Sequence, residues 1–341
     1  MTIHNTSSTF NTIPISIVTP MFLGGADAAP ELRPPSIKGA LRFWYRALHP
    51  THDLEKLLAQ ENSLFGGVGD HATKSRLIVR VAKNDLEAST ESLPRQIVPF
   101  TKYINGQQRT FDINVLEYLC YGTYDYEKGK GNVFSRAYLK PNQQFKLRYT
   151  IRQASTDDEE QLHEVFQCLF TFGGLGSRSR NGFGAISSDD FQIEPKVLAK
   201  ELQKKAKTLS SYTAASPDIQ LFETKEFRTW DSALGELGKV YRACRSELEA
   251  KHYYDKRSYI SAPIIVDKKQ ESFLDRHSKP YILNVIPTTQ GFKGIILFMP
   301  YHYLADHKDF SPAEKKSHLI EYQNTTTAFN SLLSTKLSRV V

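Results

Sequence analysis

The segment from Gly173 to Gly184, GGLGSRSRNGFG, has residue types that proteins use to hold an anion. Five of its twelve residues are glycine, which lets backbone N–H groups approach a ligand closely. Arg178 and Arg180 alternate, so an extended backbone points both guanidinium groups to one side. Phe183 is placed to stack on a nucleobase. We therefore predict nucleic-acid contacts from Gly173, Gly174, Gly176, Ser177, Arg178, Ser179, Arg180, Asn181, Gly182 and Phe183.

This loop matches neither of the common nucleotide-binding motifs. The P-loop pattern GxxxxGK[ST] is absent, and the dinucleotide fingerprint fails because Ser179 follows Gly174 and Gly176 at its third position. No acidic residue occurs between Val165 and Ser188, which favours a phosphate backbone as the ligand. The alternative is a flexible connection between a helix and a strand that arginine keeps soluble.

A second basic group follows one face of a predicted helix. Lys38, Arg42 and Arg46 are spaced four residues apart, so they share a face while apolar residues turn inward. Arg33 precedes the helix, Ser36 is the predicted N-cap, and no acid lies between Leu32 and His52. We predict nucleic-acid contacts from this face as well, and the alternative is a solvated basic surface.

Catalytic residue sets are sparse. The acids at positions 157–160 fall in the first turn of a predicted helix, where they favour the helix dipole. No set of carboxylates converges as a two-metal nuclease requires, so we predict neither a metal site nor a cofactor. His49 and His52, with Lys38 or Tyr45, remain open as a general acid–base pair.

The order of predicted elements indicates α+β architecture with two domains of ferredoxin-like (RRM-like) form. Strands near Thr12–Pro20, Arg76–Val81, Gln143–Ile151 and Phe183–Ile193 alternate with helices as β-α-β-β-α-β. We expect the first strand to be central and the fourth to lie at an edge beside the second or third. A capping box over positions 156–159 is expected to begin the second helix.

The domain limits follow from composition shifts. The first domain is predicted over residues 1–211, with an insertion over about 84–141 that contains one short helix near Ile113–Leu119. Aromatic and basic residues interleave in this insertion, either as a single-strand binding surface or as packing onto the core. Residues 212–218 form the predicted linker, and the second domain covers 212–341 with a strand expected at Tyr259–Val266.

Bulk composition agrees with a nucleic-acid partner and excludes several classes. The 341 residues carry a formal net charge of +7, with 40% hydrophobic residues and no run long enough for a membrane span. The first ten residues lack the pattern of a signal peptide, and the three cysteines are isolated in sequence. We therefore expect a cytoplasmic protein without a membrane partner.

Several motifs resemble the RAMP superfamily of CRISPR proteins. The glycine-rich loop after the second helix of a ferredoxin-like domain is the shared mark of that superfamily. The runs TPMFLGGADAAPELRPPSIKGALRFWYRAL, Thr19 to Leu48, and LFGG, Leu64 to Gly67, are similar to the first-subunit family of type III-B (Cmr) effector complexes. The resemblance covers the first half well. It covers the second half in length and element order, with a weak match at Arg257 to Ile264, RSYISAPI.

The resemblance implies a non-catalytic subunit that binds the 3′ region of a guide RNA and its target RNA beside other Cmr subunits. It carries over to Lys38, Arg42, Arg46 and the glycine-rich loop alone. Two alternatives remain, a metal-independent endoribonuclease that processes the guide precursor and a scaffold that touches only protein. Cleavage of precursor RNA in EDTA and RNA binding at low salt distinguish them.

Overall fold

A computed structural model gives the fold of the chain. It describes residues 10–25, 29–68, 72–82, 85–101, 106–250, 253–266, 269–272, 274, 276–302, 304–305 and 308–341, and the backbone alone of 102–104. Helices and antiparallel sheets are mixed along the chain, so the predicted α+β class is confirmed. Within the described residues no helix is both long and apolar enough to cross a bilayer.

The chain begins with a strand and two helices that bury one apolar face. Strand β1 is Asn11–Ile17, helix α1 is Pro34–Leu48, helix α2 is Leu54–Phe65 and strand β2 is Leu77–Val81. Prolines occupy the first two positions of α1, where a missing N–H costs nothing, so the N-cap is Arg33 and not the predicted Ser36. Asp53 caps α2 by accepting a hydrogen bond from the Lys56 N–H.

The predicted insertion follows β2 and consists of short antiparallel pairs around a small helix. Its hairpins pair β4 with β5 and β6 with β7, and β3 pairs with β8. The short helix expected at 113–119 is present as α3, which packs on a helix of the second half of the chain. The bounds are β3 Ala88–Ser89, β4 Ile97–Ile104, β5 Gln107–Asn114, α3 Val115–Leu119, β6 Tyr124–Glu127, β7 Gly131–Phe134 and β8 Tyr138–Leu139.

The first sheet is completed by strands β9, Gln144–Ile151, and β10, Ile186–Ser187, with helix α4, Thr156–Phe172, between them. Helix α5, Pro195–Lys204, then leads to the second half. The strand order is β10-β1-β9-β2, all antiparallel. The fourth strand therefore lies at an edge beside the first strand, which corrects the expectation that it lies beside the second or third.

The second half repeats this order. Strand β11 is Gln220–Phe227, helices α6 and α7 are Trp230–Glu247 and Asp255–Ile260, and the small pair β12–β13 is Ile265–Val266 with Lys269–Gln270. Its sheet runs β16-β11-β15-β14 and is antiparallel throughout. The remaining bounds are β14 Tyr281–Pro287, β15 Phe292–Phe298, α8 Pro312–Ser334 and β16 Ser338–Arg339.

The two halves share one continuous packing. Ile282, Ile295 and Leu297 of the second sheet join the buried cluster that contains α1 and α4, while Tyr281 and Phe298 join the cluster on α6 and α8. The order of layers is therefore first sheet, α1 with α4, second sheet, α6 with α8. The predicted linker is packed as well, because Ala215 is fully buried and its N–H donates to Ala47 O at 2.7 Å.

Three predicted elements differ from the structure. The capping box at α4 is one residue earlier, between Ser155 and Asp158. The strand expected at 183–193 shrinks to Ile186–Ser187 because the Gly184 N–H donates to Pro20 O instead of to a neighbouring strand. The strand expected at 259–266 is reduced to Ile265–Val266, and its first two residues end α7. The first N–H groups of α7 donate to the Glu249 carboxylate, a cap that local periodicity does not reveal.

Candidate nucleic-acid interface

The glycine-rich loop joins α4 to β10 and lies between the two halves of the chain. Its Arg180 carbonyl accepts from the Leu283 N–H of β14 at 3.1 Å, and the Ser177 N–H donates to Phe22 O at 2.8 Å. Gly184 has a φ of +67°, and a Cβ there would collide with the Leu175 carbonyl oxygen. Glycine is therefore required at this position by the packing of the loop on itself.

The two arginines of the loop point in different directions. Arg178 has a φ of +63° and is exposed, with its guanidinium beside Gly122 of the insertion. The Arg180 guanidinium lies 4.8 Å from the centre of the Phe43 ring on α1 and donates to Lys279 O at 2.6 Å. The predicted common direction is wrong, because the loop turns at these residues instead of extending.

The remaining side chains of the loop hold the two halves together. Phe183 is fully buried and packs edge-on against Phe22, with ring centres 5.4 Å apart. Its predicted stacking on a base is contradicted, because an apolar ring gains more from the core that surrounds it here. Asn181 donates to Leu119 O at 2.7 Å and accepts from Lys279 Nζ at 2.5 Å.

The loop brings its arginines to two cations of the second half. Arg178, Arg180, Arg245 and Lys279 form a group that we call the junction cluster. Burial and the positive charges of Arg245, Arg180 and Arg178 hold the pKa of Lys279 well below its usual value. The acceptor for its Nζ is the neutral Asn181 amide, and the ammonium lies 4.7 Å from the Tyr241 ring centre.

The junction cluster has more positive charge than its surroundings balance. The carboxylate acting on Arg245 is Glu249, which also lies 3.8 Å from Arg257 Nε. Arg245 donates to the Tyr118 hydroxyl at 3.1 Å, and its buried Nε has no hydrogen-bond partner in the described part of the chain. Four basic side chains gathered at one place are a suitable receptor for an anion.

Sequence reasoning missed the second half of this cluster. Arg245 and Lys279 are single cations in unremarkable segments, ACRSELEA and HSKPYI, some 65 to 100 residues after the loop. No local pattern distinguishes them from solvated residues. Only the pairing of the loop with β14, which places Asn181 beside Leu283, brings them to the loop arginines.

The basic face of α1 is partly neutralised by α2. Glu61 is 3% exposed, and its carboxylate bonds to Arg42 at 2.8 Å and to Arg46 at 2.9 Å. Arg42 also donates to Phe65 O and to Gly66 O, so the LFGG run is tied to α1. The predicted open basic stripe is therefore a helix–helix contact with partly exposed arginines. Glu61, fifteen residues after Arg46 in the sequence, supplies the negative charge that α1 itself lacks.

Lys38 and Arg33 complete the predicted stripe. Lys38 Nζ donates to Ser75 Oγ at 2.5 Å and to Leu77 O at 3.1 Å, and burial together with Arg42 lowers its pKa. Lys38 thus links α1 to the start of β2. Arg33 is exposed at the N-cap of α1, where its carbonyl accepts from the Ser36 and Ile37 N–H groups, and its side chain makes no hydrogen bond or ion pair with another described residue.

The residues that the endoribonuclease alternative would use as general acid and base make local packing contacts. His49 Nδ1 lies 2.7 Å from Tyr45 O, and its ring packs on Tyr45 with centres 4.3 Å apart. Burial raises the pKa of Tyr45 to about 12, with carboxylates as the lesser cause, which disfavours proton transfer at neutral pH. His52 Nε2 contacts Thr208 Oγ1 at 3.4 Å. No cluster of metal-binding side chains occurs in the described ranges.

Comparison with known proteins places the chain in a class. The model of the RAMP superfamily matches residues 14–187, more than half of the chain, and the protein therefore belongs to the RAMP superfamily. The match includes α1, the insertion and the glycine-rich loop.

Its sequence relatives include two subunits from Pyrococcus furiosus. The chain is similar to CRISPR system Cmr subunit Cmr1-2, at 25% identity over 187 residues that cover 50% of this chain and 91% of that protein. It is also similar to subunit Cmr1-1, at 30% identity over 247 residues that cover 62% of this chain and 65% of that protein.

Solved structures share the fold over nearly the whole chain. The apo crystal structure of Cmr1 from Pyrococcus furiosus aligns with a TM-score of 0.54 and 18% identity, over 97% of this chain and 98% of that one. A chain in the type III-B Cmr-beta complex bound to cognate target RNA and AMPPnP aligns with a TM-score of 0.52 and 11% identity, over 95% and 100%. The likeness extends to both halves, including the second, where the sequence resemblance was weak.

Proposed function

We propose that this protein is an RNA-binding, non-catalytic subunit of a type III-B CRISPR (Cmr) effector complex. Membership of the RAMP superfamily and similarity to two Cmr1 subunits support this assignment. The observation that carries the RNA-binding part is the junction cluster, whose charge excess a phosphate backbone would balance. The proposed partners are guide RNA, target RNA and other Cmr subunits in the cytoplasm.

Each half of the chain is proposed to be a ferredoxin-like domain, with the boundary near residue 212. The support is that both sheets have the order fourth, first, third, second, with helices in the same two crossovers. The glycine-rich loop then lies between two copies of one domain type. Contacts made there reach the backbone of an RNA strand and carry little base specificity.

The proposed RNA-binding side chains fall into two groups according to their solvent exposure. Arg178 is exposed and meets a phosphate directly, whereas Arg180, Arg245 and Lys279 act from partly buried positions. On α1, Arg42 and Arg46 share Glu61, so this pair leaves about one net positive charge on the basic face of that helix. Arg33 and Lys38 extend that surface toward the start of α1.

Two substitutions test the junction cluster on the full-length protein with a short fluorescein-labelled single-stranded RNA. Arg178→Ala should make the log–log salt dependence of affinity shallower by about 0.7, the value of one phosphate contact. Lys279→Met should also weaken binding, because the variant lacks the ammonium that a bound phosphate would favour. Lys200→Ala, on the exposed surface of α5, is the charge-matched control.

Wild-type affinity and salt slope in both variants would remove the junction cluster from the RNA interface.

A crosslinking experiment tests which end of the guide RNA this subunit contacts. In the assembled complex, 4-thiouridine at the 3′ end of the guide should crosslink to this subunit. The same probe at the 5′ end should not. Crosslinks from the 5′ end alone would contradict the proposed position.

Absence of catalysis has its own test. The purified chain should leave precursor RNA intact with EDTA, Mg²⁺ or Mn²⁺, because its His49 and Tyr45 atoms are engaged in packing. Defined products that disappear in His49→Ala or His52→Ala would favour the ribonuclease alternative instead.

A further inference from the structure

The two sheets differ in what covers their outer faces. The second sheet is buried on both sides, between α4 and the pair α6 with α8. The first sheet packs one face on α1 and α4, and Ile13, Ile15 and Leu147 belong to that buried side. Its other side carries exposed residues on the two central strands, namely Thr12, Pro14, Gln144, Lys146 and Arg148.

This open face has an aromatic ring between two cations. The guanidinium carbons of Arg80 and Arg148 lie 4.7 Å and 5.2 Å from the centre of the Phe10 ring. Arg80 and Arg148 are also direct partners across β2 and β9. Like charges at directly opposite positions destabilise a sheet, so this arrangement is costly to the fold by itself.

No described carboxylate balances this charge. Arg80, Arg148 and Lys146 take part in none of the ion pairs of the described residues. Lys146 lies two residues before Arg148 on the same face of β9 and pairs with Pro14 of β1. The face thus presents three unpaired cations, one ring and the amide of Gln144.

Charge complementarity and chemistry identify the occupant. Three cations select a polyanion, and a ring with guanidinium planes offers stacking surfaces that suit unpaired bases. A membrane would need more apolar side chains than Phe10 alone, and an acidic protein would have no use for the stacking geometry. A four-stranded sheet of this kind accommodates about two or three bases.

We propose that the open face of the first sheet, formed by Phe10, Arg80, Lys146 and Arg148, binds an unpaired stretch of RNA. This inference rests on the proposed function, since it adds a second contact surface to the same RNA-binding subunit. The first sheet and the layer of α1 with α4 separate this face from the second sheet. The two surfaces therefore contact different segments of RNA.

The test compares three variants of the full-length protein. Arg80→Gln with Arg148→Gln should make the salt slope for labelled single-stranded RNA shallower by about 1.4. Phe10→Ala should weaken single-strand binding by about five- to hundredfold with little change of slope, and should not affect a duplex of the same sequence. Lys200→Gln controls for charge, and the arginine double variant should keep its melting temperature because it removes a like-charge pair.

The outcomes separate this inference from the proposed function. If Arg178→Ala and Lys279→Met weaken RNA binding while the open-face variants bind as wild type, only this inference is overturned. If the open-face variants alone weaken binding, the open face stands and the junction cluster fails. Wild-type RNA binding together with lost assembly into the complex would overturn the inference in favour of a protein contact.

Discussion

Lys279 is the residue whose charge is least compensated in the junction cluster. The charged groups that act on it are Arg245, Arg180 and Arg178, all positive. Its hydrogen-bond acceptor is the neutral amide of Asn181. Burial and repulsion both favour the neutral amine, so the folded protein releases this proton more readily than the unfolded chain. A phosphate beside Lys279 has the opposite effect and favours the ammonium.

RNA affinity should therefore depend on pH through Lys279. Between the lowered folded pKa and the usual lysine value, the unfolded chain holds the proton and the folded chain does not. The free energy of unfolding consequently increases as pH rises through this window. Binding of RNA takes up the proton, so affinity should fall over the same window.

Titrations with labelled RNA in a pH series, at constant ionic strength, measure this dependence. Lys279→Met should abolish it, whereas Lys200→Ala should retain it. A pH dependence that survives in Lys279→Met would assign the proton to another group.

Phe183 shows how burial decides a residue's role. Phe183→Ala should lower the free energy of unfolding by about 3–5 kcal/mol, because the ring is fully enclosed and leaves a cavity. RNA affinity of the folded variant should match wild type, since the ring faces the core. Urea denaturation and RNA titration at low temperature measure the two quantities.

Phe183→Leu, which keeps an apolar side chain of similar size, is the milder companion variant and should lose about 1 kcal/mol. The burial assignment fails if the alanine variant has wild-type stability and weakened RNA binding, because that is the result of a stacking residue.

Helices α1 and α2 are joined by one acidic residue, Glu61. Glu61 accepts from both Arg42 and Arg46, whose side chains are 29% and 40% exposed, whereas the side chain of Glu61 is 4% exposed. The carboxylate is thus desolvated, whereas the guanidinium groups can still reach water. The pair fixes the second helix against the first and limits the positive charge that α1 presents.

Glu61→Gln tests both roles. It should lower the free energy of unfolding by about 1–3 kcal/mol, less than for a fully buried pair, because the freed arginines can turn into solvent. The salt slope for RNA should become steeper by about 0.7, the value of one released cation. Glu55→Gln, an exposed acid on the same helix, is the control for urea denaturation and RNA titration.

An unchanged slope in a folded Glu61→Gln variant would show that the α1 stripe serves only helix packing. In that case the RNA interface would be limited to the junction cluster and the open face of the first sheet.

The whole molecule is a stack of four layers in which neither half is closed by itself. Buried residues of the second sheet complete the core around α4, and α3 of the insertion packs on α6. Asn284 of β14 donates to Thr171 O at the end of α4, at 2.9 Å in a buried site. The interface between the halves is therefore part of the hydrophobic core.

The two halves should unfold together. Trp44 lies in the first half and Trp230 in the second, and the chain has 2 tryptophans. In Trp44→Phe and Trp230→Phe, the remaining tryptophan reports one half, and its fluorescence transition in urea should coincide with the circular dichroism transition of the same variant. Separate transitions would show that the halves are independent domains.

Local patterns in the sequence determined most elements of this protein. Strands β2 and β9 were predicted within one residue of their bounds, because apolar periodicity reflects which face is buried. The α+β class, the insertion with its short helix and the glycine-rich loop followed from the same kind of evidence. Arg178, predicted as a nucleic-acid contact, is exposed, and the contact itself stays a prediction.

Only the tertiary structure decided which charges meet. Glu61 neutralises the arginines of α1, Phe183 turns into the core, and Lys279 and Arg245 approach the loop from the second half. On the open face of the first sheet, the register of β2 against β9 places Arg80 opposite Arg148. The physical reason is range: periodicity reports burial along one element, whereas the charge balance of a site depends on contacts between residues distant in sequence.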